Sequence, residues 1–185
     1  DMELTALTTI TGTLTRGQPE VTEVIAQGGL SEEDVLGLLA SLESRSEHPL
    51  AGAILSRWGD RPLDEVSDFE AMVGRGLSGM VKGKFYQAGS ARLLREEGLA
   101  MPDLAKLEAA GKSLIFLMDE RALLGVVAVA DPIRHSSQKA VARVKSLGIR
   151  PLMLSGDDQK SAASIAAQLG IEEVHGNLLP EQKLQ

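Results

Sequence analysis

The sequence contains no cysteine. This excludes a disulfide framework and any thiolate metal site, and it fits a reducing compartment such as the cytosol. The histidines, His48, His135 and His175, stand far apart and show no zinc-ligand spacing. No apolar run approaches the roughly 18 residues of a membrane span, and no secretory leader is read at the start. GxSxG elbows and Walker P-loops are absent, which removes the usual serine-hydrolase and P-loop signals. Aromatics make up only 3% of the chain, with one Trp, one Tyr and three Phe. Leu, Val, Ile and Ala must therefore fill the core. Positive charge is also scarce. A net charge of −7 opposes a broad nucleic-acid surface, which needs clustered Lys and Arg, so no nucleic-acid partner is expected. A single nucleotide needs only a local site and stays open. What remains is an ordinary globular composition of 185 residues, 43% apolar and 24% charged, enough for one or two domains with a sizeable core.

Hydrophobic periodicity sketches the elements. Leu4 to Thr8 reads as a short strand, followed by a loop punctuated by Gly12 and Gly17-Gln18-Pro19. Glu20 to Ala26 reads as a strand. Ser31 with Glu32, Glu33 and Asp34 is a helix start, a serine cap with acids in the first turn. Val35, Leu38, Leu39 and Leu42 then mark one helical face. Pro49 suits the first turn of a second helix through Trp58. Phe69 to Val73 leads into Gly74-Arg75-Gly76, and Gly79 to Val81 with Lys84 to Ala88 reads as a hairpin around Lys82-Gly83. Ser90 to Glu97 and Asp103 to Ala110 are short helices. Ser113 to Asp119 and Leu123 to Ala130 are apolar strands. From Ser136 onward helix and strand alternate: a helix to Leu147, a strand Arg150 to Leu154, a helix Ser161 to Leu169, a strand Val174 to Gly176. That alternation predicts a parallel sheet with crossover helices. The fold class is thus α/β, interrupted by an α+β insertion. The expected boundaries are 1–19, 20–127 and 128–185.

Several short motifs can carry chemistry, and each also has a plainer structural reading. Ser46-Glu47-His48-Pro49-Leu50, with Glu43 just before it, places an imidazole near free backbone amides at a helix start. Such a place suits a purine or an anion, or simply a locally satisfied histidine. Gly74-Arg75-Gly76-Leu77-Ser78-Gly79 matches GxGxxG, but a hairpin follows where a dinucleotide fold needs a helix, so dinucleotide binding is rejected. A glycine-lined pocket or a pair of tight turns remain. Ser155-Gly156-Asp157-Asp158 follows an apolar strand, where parallel sheets place ligands; Asp157 could face a metal–phosphate centre or cap the next helix. Lys183, after Pro180, could reach a phosphate or sit in solvent. Asp131-Pro132 with Arg134 marks a natural hinge, or an ordinary turn.

Singly these are weak; their order is specific. Thr11-Gly12-Thr13-Leu14-Thr15, then SEHPL, GxG, Asp131-Pro132, SGDD and LLPEQK resemble the heavy-metal (type IB) P-type ATPases over essentially the whole chain. The resemblance implies a phosphorylation domain of the haloacid-dehalogenase fold with a nucleotide-binding domain inserted after the DKTGTLT signature. It implies ATP and Mg²⁺ as ligands, and a parent pump exporting copper or zinc/cadmium through an aspartyl-phosphate. The partners implied are ATP or ADP and the rest of the pump, its actuator domain and transmembrane helices. This chain would be a cytosolic part of that membrane protein. By resemblance, His48, with Glu43 nearby, recognises adenine, and Ser46 and Glu47 belong to the same nucleotide-binding set. Gly74, Gly76 and Gly89 accommodate the nucleotide. Ser155, Gly156 and Asp157 lie near the phosphate, as does Asp131 at the hinge. Lys183 contacts the aspartyl-phosphate, and Thr11 offers a backbone carbonyl to Mg²⁺.

Two departures change what is expected of this chain. Thr9 and Ile10 stand where the family has the phosphorylated aspartate and its lysine. The second acidic motif, GDGxND, is not among these residues. A threonine without a base is a poor nucleophile. ATP binding without turnover is therefore expected. Two alternatives remain: a non-catalytic nucleotide-sensing module, which Thr9 suits, and a haloacid-dehalogenase-like phosphatase, which Thr9 opposes.

Overall fold

A computed structural model describes residues 5–8, 14–155 and 159–176. They divide into two compact units. One comprises Asp1–Gln18, Ala105–Lys112 and Asp131–Gln185; the other comprises Pro19–Leu104 and Ser113–Ala130. Thr9, Thr11, Gly156, Asp157 and Lys183 lie outside the described residues.

The first unit holds a parallel sheet of three described strands, β1 (Thr5–Thr8), β8 (Arg150–Leu154) and β9 (Glu173–His175), in the order β1-β8-β9. Helices α5 (His135–Ser146) and α6 (Gln159–Leu169) supply the crossovers. This is the predicted alternation: β8 has the bounds read from sequence, and no other boundary moves by more than two residues. The core joins Leu14, Val141, Met153, Ala162, Ala166, Leu169 and Ile171. Its small Ala face lets α6 lie close to the sheet.

The second unit is built on a six-stranded antiparallel sheet ordered β2-β7-β6-β5-β4-β3. The strands are β2 (Glu20–Ala26), β3 (Val66–Met72), β4 (Gly76–Val81), β5 (Lys84–Gly89), β6 (Ser113–Met118) and β7 (Leu123–Ala130). Helices α1 (Glu32–Glu43) and α2 (Ala51–Trp58) pack on this sheet. Helix α3 (Ala91–Glu96) follows β5, and α4 (Ala105–Ala109) lies in the first unit. Strand β7 is apolar throughout because it is central and covered on both faces: Val126, Val127, Ala128 and Val129 are all buried. Val35, Leu39, Leu42 and Ile54 meet Leu117, Val127 and Val129 in the main core. Midway along α1, the Trp58 ring lies over Gly37, where a Cβ would come within 2.7 Å of it. Arg61 stacks on that ring at 3.7 Å.

Local chemistry explains the element ends. Ser31 and Asp34 form a capping box on α1: the Asp34 amide donates to Ser31 Oγ at 3.1 Å, and the Ser31 amide donates to Asp34 Oδ2 at 2.9 Å. Bonds from the Ser31 hydroxyl and amide hold the Asp34 carboxyl below its ordinary range. The β4–β5 hairpin turns at Lys82 (φ 51°) and Gly83 (φ 73°), the two left-handed residues a tight hairpin of this twist requires. Two expectations move. Helix α2 starts at Ala51, so Pro49 precedes it in a turn; the Leu50 amide is taken by His48 Nδ1 at 3.2 Å. Strand β4 begins at Gly76, three residues before the reading from sequence, because Gly76 pairs with both Met72 and Gly89.

In the first unit, the outgoing and returning chain segments are tied together. Thr15 bridges Ile133, the Arg16 amide donates to Pro132 O at 2.9 Å, and the Arg134 amide donates to Leu14 O at 2.9 Å. Arg134 Nε adds a bond to Thr15 O at 2.7 Å. The Asp131 carboxylate accepts from Thr15 Oγ1 at 2.5 Å and from the Gly17 and Gln18 amides at 3.1 and 3.2 Å. Asp131→Ala should cost about 2 kcal/mol in urea denaturation, with Asn restoring part, because it strands one hydroxyl and two amides.

Candidate functional site

The end of α1 and the turn after it form one wall of a cavity of about 700 Å³ in the second unit. Glu43, Arg45, Ser46, Glu47, His48, Pro49 and Leu50 line this wall. The turn between β3 and β4, Val73 to Gly76, forms the rim. Leu77, Ala88, Gly89, Ser90, Leu114 and Ile115, from β4, β5, α3's cap and β6, form the rest. The cavity brings together all seven residues singled out as nucleotide-binding: Glu43, Ser46, Glu47, His48, Gly74, Gly76 and Gly89. The lining is mostly apolar with a few polar groups, most of them on the α1 wall and Arg75 and Ser90 elsewhere, the common form of a small-molecule site.

Glu43 is the sharpest polar feature. It is only 5% exposed, and its Oε2 is buried with no hydrogen-bond partner. A buried acceptor left unpaired is costly, so such an atom asks for a donor from an occupant. Burial pushes the Glu43 carboxyl up; a hydrogen bond from Ser46 and the nearby His48 oppose that rise. His48 is held by its surroundings. Its amide donates to Ser46 Oγ at 3.1 Å, and its Nδ1 accepts from the Leu50 amide. The neutral ring therefore carries its proton on Nε2, which is left as a donor.

The glycines have separate reasons. Gly76 and Gly89 sit opposite each other on β4 and β5. A Cβ at Gly76 (φ 155°) would fall 2.1 Å from Ala88 O, and one at Gly89 would fall 2.3 Å from Arg75 O. Only two glycines allow this backbone contact, which forms the cavity floor. Gly74 is required for its φ of 70°, since a Cβ there would meet nothing within 4 Å.

The remaining site residues fall elsewhere. Ser155 is 1% exposed at the end of β8, and its amide donates to His175 O at 2.8 Å. Asp131 is spent on the segment Thr15–Gln18, as above. The sequence reading missed Val73, Arg75, Leu77, Ala88, Leu114 and Ile115. GxG adjacency signals Val73 and Arg75, but nothing local signals the β6 residues, which reach the cavity only through strand pairing. Among the described residues no group of three or more His, Cys, Asp or Glu is arranged to hold a metal ion. Thr11, the residue offered for Mg²⁺, lies outside them.

Comparison with known proteins places this geometry. The sequence profile of the haloacid dehalogenase-like hydrolases matches residues 10–185, and the chain belongs to that family. Within it, the similarity falls on heavy-metal P-type ATPases. A copper-transporting P-type ATPase of Rhizobium leguminosarum bv. viciae is 39% identical over 94% of this chain and 21% of its own length. A copper-exporting P-type ATPase of Bacillus subtilis (strain 168) is 38% identical over 94% of this chain and 22% of its own. The chain thus spans about a fifth of the length of these relatives. A zinc-transporting PIB-type ATPase in its E2.Pi state superposes with a TM-score of 0.83 at 30% identity, covering 97% of this chain and 30% of that one. The catalytic domain of the CPx-ATPase CopB-B, studied for its changes on nucleotide binding, gives 0.70 at 26% identity, covering 97% and 64%. The expected fold, a haloacid-dehalogenase-like α/β domain with an α+β insertion, agrees with these likenesses.

Two predictions follow from the site geometry. Gly76→Ala and Gly89→Ala should each destabilise the chain by about 3 kcal/mol or more, whereas Gly74→Ala should cost about 1 kcal/mol, read by thermal denaturation. Glu43 has a raised carboxyl in the fold, so the folded state binds its proton more tightly than the unfolded state. Stability from this group is full below about pH 4.3, the ordinary glutamate value, and is lost as pH rises through the raised one. Urea denaturation across this range should show that loss in the wild type and not in Glu43→Gln.

Proposed function

We propose that this chain is the ATP-binding part of a heavy-metal P-type ATPase, one that transports copper or zinc/cadmium. In this reading the chain is a cytosolic portion of a membrane pump, with the actuator domain and transmembrane helices as its partners. Among the described residues no helix is long and apolar enough to cross a membrane. The single observation that carries the reading is the orphaned Oε2 of Glu43, a residue lining a largely apolar cavity of about 700 Å³, room enough for a whole nucleotide. An adenine suits it: the exocyclic amine donates to Glu43, the ring is taken up by the apolar wall, and His48 offers an Nε2 donor to a ring nitrogen or the ribose.

Mg²⁺ would travel with the nucleotide phosphates, and its protein ligands are to be sought around positions 9–13 and 156–158. When bound it would neutralise phosphate charge. Thr9 gives no carboxylate to attack the γ-phosphate, so the chain holds ATP without becoming phosphorylated. The same residue favours a nucleotide-sensing role for the isolated segment, with turnover left to a partner or abandoned.

Calorimetry tests the reading. ATP, ADP and adenosine should bind. Inosine triphosphate, with an oxygen in place of the amine, should bind about tenfold more weakly, the worth of one charge-assisted bond. His48→Ala should lose most of the affinity. With labelled ATP, no hydroxylamine-sensitive phosphoprotein should form. Failure of the folded wild type to bind any adenine compound would overturn the site; a phosphoprotein would overturn the role given to Thr9.

A further inference from the structure

Val73 is 99% exposed, far more than any other large apolar side chain among the described residues; the next, Leu147, is 61% exposed. A polar residue would serve this position equally well for folding, because the side chain touches no part of the core. Yet Val73 is among the residues that line the cavity, as are Met72 and Leu77.

The backbone beneath Val73 is fixed on several sides. The turn is closed by the Arg75 amide donating to Met72 O at 3.0 Å, with Gly74 left-handed between them. Arg75 O accepts from the Ser90 amide at 3.0 Å, which ties the turn to the start of α3. Arg75 Nη1 reaches Glu96 Oε2 on α3 at 3.4 Å. The contact of Gly76 with Gly89 locks the next residue. An isopropyl group therefore stands at the cavity rim on a hydrogen-bonded turn, uncovered by any of the described residues.

We propose that Val73 is a positioning residue of the nucleotide site, packing on the face of the bound purine and closing the open side of the cavity over it. The inference rests on the nucleotide reading above and adds to it a specific apolar contact. The base is the one part of a nucleotide that an isopropyl group can cover with gain, since the ribose and phosphates are polar. The contact also favours bases over free phosphates: Val73 would add equally to the affinity for adenosine and for ATP. A residue acting on the phosphates would separate the two.

The test uses this chain with Val73→Ser, Val73→Ile and the wild type, titrated by calorimetry with adenosine and with ATP. Unchanged melting temperatures are expected, because the side chain is exposed. Val73→Ser should weaken both ligands by the same factor, about three- to tenfold, the worth of a partly buried valine. Val73→Ile should restore or exceed wild-type affinity. In methyl-labelled protein, the Val73 methyl resonances should move on adding adenosine, through the ring current of a base stacked against them. Equal binding by wild type and Val73→Ser, or a loss confined to ATP, would overturn the inference while leaving the site intact. Wild-type protein that binds neither ligand would overturn the site and the inference together.

Discussion

The second unit depends on one long-range pairing. Strand β2 lies antiparallel to β7 with Glu20 opposite Ala130, so the two ends of the second unit are neighbours. Thr22 Oγ1 reaches Ala128 O across 106 positions. The entropy of closing so long a loop grows only logarithmically with its length, and a full strand pairing exceeds it. With β2 and β7 joined, β6 lies beside β7 and β5 beside β6, α1 buries Val35 and Leu39 against the sheet, and the cavity acquires its walls. In the first unit, Asp131 and Arg134 hold the corresponding chain ends together with their own bonds.

The cavity is a by-product of how two strands meet. β4 and β5 approach within backbone contact at Gly76 and Gly89, which leaves room above them that side chains would otherwise fill. The turn before Gly76 and the helix end at Glu43 then face this gap from different parts of the chain. Polar groups gather on the α1 side, with Arg75 on the rim and Ser90 at the start of α3 adding two more. The same residues that make the floor too tight for any side chain make the site open to a flat ligand.

Much of this was legible in the sequence because local chemistry sets it. The Ser31–Asp34 box, the Lys82-Gly83 turn and the alternation after Ser136 each follow from residues close together in the chain. The seven residues grouped in the cavity were chosen from motif order, and they converge on one place. What was not legible depends on distant pairing. Leu114 and Ile115 read only as strand residues, since nothing near them says which strand lies alongside. Proline favours a first helical turn, but here His48 to Ala51 form a separate turn, the Ala51 amide donating to His48 O at 2.9 Å, and the helical bonds begin only at Leu50 O. Asp131 reads as a phosphate or hinge residue, and only the fold shows its carboxylate engaged by Thr15, Gly17 and Gln18.

The single tryptophan has an optical consequence. Trp58 lies in the second unit, packed over Gly37 with the Arg61 guanidinium on its face, and it is not among the cavity residues. The one tyrosine described, Tyr86, lies in the same unit. Intrinsic emission from this protein is therefore the signature of one unit alone. Circular dichroism samples both. If the two units melt at different temperatures, the two signals will part company, and the gap between them measures how far the insertion is a thermodynamically separate body.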